Sequence, residues 1–195
     1  MQRYNAAVII ILVTIISYLQ PQALAQSEGT QSSNAPTTIP DKTSIGSNLT
    51  LGEVEDLLQL HNKARAEVGV GPLMWSKNLA IYAQEWADHL ASTQCRLKHR
   101  PHSDKGKQEY GENLFMGTAG YYSVADAVKA WEDEKVYYKR GETLNSSNWK
   151  NSGHYTQVVW EKTTHVGCAK VECKGNIIVV CNYDPPGNVF GQKPY

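Results

Sequence analysis

Apolar residues recur at helical spacing in three segments between Val54 and Trp131, whereas the stretches after Gly153 switch to β-branched runs broken by turn residues. Helices grouped ahead of strands, instead of alternating with them, predict an α+β fold with antiparallel pairing. The first helix opens on a capping box of Thr50 and Glu53. It carries Val54, Leu57, Leu58, His61, Ala64 and Val68 on one face and stops at Gly69 and Pro72. Ser76 caps a second helix to about Thr93, striped by Leu79, Ala83, Trp86 and Leu90. Residues 96–110 are polar, contain Pro101 and Gly106, and read as a loop. A third helix opens at Ser123 and sets Ala127, Val128, Trp131 and Glu134 on nearly one stripe. That stripe lines a carboxylate up with a buried tryptophan, and a buried anion costs several kcal/mol unless a cation or several donors meet it. Glu132 and Asp133 are expected to face solvent. Strands are predicted over residues 155–160, 165–171 and 177–182, the last two joined by a turn at Lys174-Gly175-Asn176.

The amino end fixes the compartment. Arg3, an uncharged apolar run over residues 6–19 and the small-residue pattern Ala23-Leu24-Ala25 read as an export signal cleaved near Gln26. The run falls short of the ~20 residues a spanning helix needs, so a membrane anchor is not expected. Residues 26–47 are rich in Ser, Thr, Gln and Pro and read as a disordered lead-in, leaving a single domain over residues 48–195. A domain of about 150 residues buries roughly 68–70% of its unfolded surface, enough for a core. Four cysteines in an exported chain favour two disulfides over a metal cluster, and spacing alone allows three pairings. Lys+Arg and Asp+Glu balance at 19 each, so no global field points to nucleic acid or an anionic membrane surface. Asn48-Leu49-Thr50 and Asn145-Ser146-Ser147 fit the glycosylation pattern of eukaryotic export.

Three blocks carry the chemistry: GENLF at residues 111–115, GHYTQVVW at 153–160 and CNYDPPGN at 181–188. In the second, counting by two from His154 gives Thr156, Val158 and Trp160, which leans the imidazole toward the apolar side of the expected strand. A single such histidine is ordinarily satisfied by a backbone carbonyl. Together the blocks resemble the CAP superfamily of secreted proteins, which comprises cysteine-rich secretory proteins, antigen 5 and pathogenesis-related group 1. The group 1 type is the nearest branch, and the similarity runs over residues 51–195. The resemblance implies a three-layer α-β-α sandwich around a mostly antiparallel sheet, with the tail from Asp184 wrapping over the surface. It also implies the pairs Cys95 with Cys173 and Cys168 with Cys181, which by loop entropy would contribute about 4 and about 3 kcal/mol. Plant relatives carry a third pair where this chain has residues 144–149 without cysteine, so a looser loop is expected there. HNKAR, beginning at His61 and Asn62, resembles the family's first-helix motif and is read as pinning that helix by hydrogen bonds.

Carried over by motif, the family's cleft residues are His99 in LKHRP, Glu112 in GENLF, Glu134 three positions after Trp131, and His154 in GHYTQ, with His102 as the alternative to His99. Two imidazoles with two carboxylates suit a divalent metal of the zinc type, not required for the fold. Neutral histidines would ligate while carboxylates orient them or hold a water, so affinity falls as the solution is acidified. The alternative is that two Glu–His pairs only satisfy one another and fix the fold. There is no HExxH helix and no GxSxG elbow, and Arg100 occupies the place of the serine invoked in protease proposals for relatives, so a metal-dependent or serine-type hydrolase is not favoured. Relatives imply a secreted, defence-type, antimicrobial binding module for sterol or another small lipid. Phe115, Met116, Tyr121 and Tyr122, flanking a Gly117–Gly120 loop, are the expected ligand-binding rim. The tail resembles one from which a signalling peptide, here residues 185–195, is released by a processing protease at Asp184-Pro185; the same residues could equally form a rigid flap.

Overall fold

A computed structural model of the chain describes residues 42–101 and 108–195. The leader, the lead-in as far as residue 41, and His102 lie outside the described residues. Helices α1 (Leu51–Val68), α2 (Lys77–Ser92), α3 (Val124–Asp133) and α4 (Trp149–Val158) surround strands β1 (Met74–Trp75), β2 (Gly111–Thr118), β3 (His165–Cys173) and β4 (Asn176–Asp184). Short 3-10 turns occupy Lys42–Ser44 and Glu134–Tyr137. No described helix is long and apolar enough to cross a membrane.

The helix ends are where local chemistry puts them. Thr50 and Glu53 form the capping box of α1, and Gly69 ends it in the left-handed region at φ 83°. Ser76 caps α2, and Ser123 with Asp126 makes a second capping box on α3. The domain begins earlier than residue 48. Ile45 is buried in the core and its carbonyl accepts the Trp75 indole N–H at 3.0 Å.

The sheet order is β1-β3-β4-β2, with the two-residue β1 parallel to β3 and the other pairs antiparallel. On β4, Ile177, Val179, Cys181 and Tyr183 face the layer of α1, α3 and α4, while Ile178 and Val180 face α2. Covering both faces makes β4 a continuous buried run rather than an alternating one. Gly167 is where α2 lies closest to β3: a Cβ there would stand 2.2 Å from the Ala80 nitrogen. The bridges are Cys95–Cys173, tying the exit of α2 to the end of β3, and Cys168–Cys181, between residues directly opposite on β3 and β4. The result is an α+β, three-layer α-β-α sandwich.

One strand was not anticipated and one expected strand is overturned. GENLF, given no secondary structure from the sequence, begins a sheet strand, β2, paired along its length with β4. The strand expected over residues 155–160 is instead the end of a helix, with Val159 and Trp160 leaving it. Contacts from elsewhere outweigh the β-preference of Val158 and Val159. The buried Arg65 guanidinium donates to the carbonyls of Val158 (3.0 Å), Trp160 (2.8 Å), Thr163 (2.8 Å) and Gly71 (2.6 Å), satisfying the carboxyl end of α4. Burial pushes that guanidinium down to about 10, still charged at neutral pH.

Candidate functional site

A cleft of about 610 Å³ opens where the start of β2, one side of α4, the loop before residue 101 and the tail meet. His99, Glu112 and His154 border it, and Glu134 stands behind His154. Each imidazole is held by one acid. His99 Nδ1 lies 2.7 Å from Glu112 Oε1, and His154 Nδ1 lies 2.6 Å from Glu134 Oε1. An ionised carboxylate only accepts, so in the neutral ring the proton sits on Nδ1 and the Nε2 lone pair is the one left for a ligand.

Supports from several elements fix this geometry. Glu134 Oε2 also accepts the backbone N–H groups of His154 (2.9 Å) and Tyr155 (3.3 Å), which explains why an acid is placed in line with Trp131. The Trp131 ring lies nearly parallel to His154 with centroids 6.3 Å apart, and its indole N–H donates to the Leu114 carbonyl. On the other side, the Arg100 backbone N–H donates to Glu112 Oε1 at 3.1 Å, and the Trp86 indole holds the Lys98 carbonyl at 2.8 Å. The Glu112 side chain is 0% exposed, and its Oε2 has no hydrogen-bond partner among the described residues. A buried orphan carboxylate oxygen is uncommon and calls for a donor or a cation.

Beneath the cleft runs a chain of hydrogen bonds that links α1 to α4. His61 Nδ1 lies 2.7 Å from the Leu57 carbonyl, so Nδ1 carries the proton and Nε2 accepts from the Tyr183 hydroxyl at 2.9 Å. Asn113 Nδ2 donates both to that hydroxyl (3.2 Å) and to the His154 carbonyl (3.0 Å). Desolvation lowers the His61 pKa to about 4, and burial pushes the Tyr183 hydroxyl up, so both are neutral across the physiological range. The pinning expected of HNKAR is extended by Asn62, which exchanges bonds with the backbone of Leu73 at 2.7 and 3.1 Å.

The tail forms one wall. Gln157 accepts the Gly187 N–H at 3.0 Å, Asn188 accepts from the Thr156 hydroxyl at 2.7 Å, and Asn188 donates to the Gly153 carbonyl at 2.8 Å. Glycine is required where Gln157 presses on β2, since a Cβ on Gly111 would lie 2.2 Å from its Oε1. The three sequence blocks therefore meet in space. Pro186 and Phe190 complete the wall, and Phe190 stands edge-on to Trp149 with centroids 6.2 Å apart. Sequence reasoning missed the roles of Asn113, Gln157 and Asn188; the one signal was that each lies within one of the three blocks.

The expected lipid rim divides. Phe115 and Met116 belong to β2 rather than to a loop, and successive strand residues point to opposite faces. Phe115 packs toward α1, α3 and α4, and Met116 toward α2. Phe115, Tyr122 and Tyr121 form a ladder with centroids 5.8 and 4.9 Å apart, ending on Tyr121, which is 79% exposed. None of these side chains borders the cleft.

Fold and cleft together define the CAP class of proteins: a covered sheet whose histidines and acids gather where three blocks converge. The profile of the Cysteine-rich secretory protein family, CAP, matches residues 58–183, and the chain belongs to that family. Within it the chain is of the pathogenesis-related protein 1 type. It is 46% identical over 142 residues to pathogenesis-related protein 1B of Nicotiana tabacum, covering 72% of this chain and 80% of that one. It is 45% identical over 144 residues to pathogenesis-related protein PRMS of Zea mays, covering 72% and 81%. Among solved structures, NaASP2 with Zn2+ aligns at a TM-score of 0.66 and 25% identity, covering 81% of this chain and 90% of that one. BmVAL-1 aligns at 0.62 and 24% identity, covering 77% and 84%, a likeness of fold.

Proposed function

We propose that this protein is an exported, defence-type binding protein without turnover of its own. Its cleft holds a divalent ion of the zinc type, and its aromatic ladder takes a sterol or another small lipid. The cleft reading is carried by one observation: His99 and His154 border the same opening with Nδ1 of each committed to a carboxylate. His99 and His154 would ligate through Nε2, with Glu112 and Glu134 orienting them. Among the described residues no group of three or more His, Cys, Asp or Glu is placed to hold a metal, so solvent or a ligand would complete the coordination. The ion would supply a Lewis-acidic anchor for a polar group of that ligand. NaASP2, a CAP-type fold neighbour, was crystallised with Zn2+, which supports the reading.

Two features speak against a nucleophilic hydrolase. No Ser, Thr or Cys lines the cleft among the described residues. Arg100 is packed away, its guanidinium 3.6 Å above the Tyr82 ring and donating to the Tyr82 carbonyl at 2.6 Å. The lipid reading rests on the exposed end of the Phe115–Tyr122–Tyr121 ladder. Sterol binding by the purified mature domain tests it: Tyr121→Ala is expected to weaken binding, His154→Ala and a chelator to leave it intact, and His154→Ala to abolish zinc uptake. Peptide turnover that a chelator removes would overturn the non-enzymatic reading.

A second reading, precursor of a peptide spanning residues 185–195, is favoured by the exposure of Asp184, Pro185 and Pro186, which sets the bond after CNYD at the surface. Recovery of that fragment from tissue is its test.

A further inference from the structure

The two Asn-x-Ser/Thr tripeptides differ in what surrounds them. In Asn48-Leu49-Thr50 the middle residue is 5% exposed and fixed in the core. The Thr50 hydroxyl is committed to the α1 cap, donating to Glu53 Oε2 at 3.0 Å and accepting the Glu53 N–H at 3.3 Å. In Asn145-Ser146-Ser147 all three residues are exposed. There the Ser147 hydroxyl and N–H both donate to Asn145 Oδ1, at 2.5 and 2.9 Å. Asn145 Nδ2 makes one bond, to the Thr143 carbonyl at 3.2 Å. These contacts lie within an exposed segment, residues 143–148, so the tripeptide stays within reach of an enzyme as the domain folds, whereas folding closes over Leu49.

We propose that Asn145, and not Asn48, is the site of N-linked glycosylation. The proposal rests on the export reading. The chemistry needs an oligosaccharide donor carried on a lipid pyrophosphate. Asn145 Nδ2 forms a bond to C1 of the reducing-end sugar, the C1–O bond to the pyrophosphate breaks with its electron pair leaving on phosphate, and one Nδ2 proton passes to a base of the transferase. Hydrogen bonds from Ser147 into Oδ1 draw density from the amide and ease that proton's loss. The glycan would stand beside the tail that walls the cleft. Leu144 exchanges backbone bonds with Gln192 and Gly191, both 2.8 Å, and the Asn145 carbonyl accepts the N–H of Trp149, a cleft residue.

The test is secretion of residues 1–195 from plant cells, with intact mass measured on wild type, Asn48→Gln, Asn145→Gln and Ser147→Ala. A glycan-releasing amidase in heavy-oxygen water marks the former attachment site. Wild type and Asn48→Gln are expected to carry one oligosaccharide, marked at Asn145. Asn145→Gln and Ser147→Ala are expected to run at the bare polypeptide mass; Ser147→Ala retains Asn145, so misfolding of one variant does not decide the matter. A secreted wild type of bare mass, or a glycan that survives both variants, overturns the proposal. A chain retained in the cells and unprocessed overturns the export reading and this proposal together.

Discussion

Acidification should cost this protein about 3 kcal/mol of stability through His61 alone. The ring is fully buried, with Nδ1–H on the Leu57 carbonyl and Nε2 accepting from Tyr183. A second proton would have to displace the Tyr183 hydroxyl, and among the described residues the charge acting on the ring is that of Arg65, of the same sign. Desolvation is the largest cause of its depressed pKa of about 4, the Arg65 charge adds to it, and the Leu57 carbonyl partly opposes it. Unfolded, the same ring titrates near 6.5, so between those values the unfolded chain binds a proton that the folded one refuses. Stability is therefore complete above pH ~6.5 and lost as pH falls toward ~4, by about 1.4 kcal/mol per unit at the steepest. The assay is urea unfolding at several values from pH 7 to 4, disulfides intact, on wild type and His61→Gln. Gln keeps a donor and an acceptor but does not titrate, so comparing slopes removes the carboxylates common to both proteins. Wild type should lose about 3 kcal/mol more than the variant over that range; parallel curves would refute the reasoning.

Arg65→Ala removes the donor from three carbonyls at and just beyond the end of α4 and from that of Gly71 in the loop after α1, and should cost about 3–5 kcal/mol in urea unfolding. Gly111→Ala drives a methyl group into Gln157 and frees Gly187; a loss of about 1–3 kcal/mol is expected, with faster proteolysis in the tail than in the rest of the chain. Glu134→Gln removes the charged acceptor of His154 and should weaken zinc binding about 10-fold or more by calorimetry. Equal zinc affinity would mean that the acid holds the backbone and does not tune the ring.

What was legible in the sequence was what closes over a few residues. The caps at Thr50, Ser76 and Ser123 and the stop at Gly69 are local, and each falls where its side-chain chemistry requires. The helix α4 was not legible because its partners are remote: Arg65 at its carboxyl end, Glu134 on its amides, Asn188 on its flank. A stride of three and four through Ser152, Tyr155, Thr156 and Val159, all buried, was the helical signal that the β-branched pair concealed. The strand β2 escaped for the opposite reason, since Glu112 and Asn113 place polar groups in a buried stretch where alternation would be sought. His154 and Glu134 were singled out by the apolar company they keep in the sequence, but His99 and Glu112, and the gathering of all four, were reached only through the resemblance. Spacing says nothing of which imidazole meets which acid.

The tail ties the two proposed roles to one equilibrium. Residues 186–190 cannot serve as a cleft wall and leave as part of a peptide in the same molecule, because Gly187 and Asn188 are bonded to α4 while Gly191, Gln192 and Pro194 are bonded to Leu144 and Glu161. Cleavage at the exposed Asp184-Pro185 bond by a protease that needs an extended substrate first requires this segment to lift off. Any ligand that leans on Pro186 and Phe190 binds the closed wall only, so by mass action it opposes lifting. At 100 times its Kd it adds about 2.7 kcal/mol, which corresponds to roughly 100-fold slower cleavage when opening precedes the cut. Limited proteolysis with and without saturating cleft ligand, followed by mass spectrometry at residue 185, measures this directly. Equal rates would mean that the wall is not what the ligand grips, and that release and binding are independent.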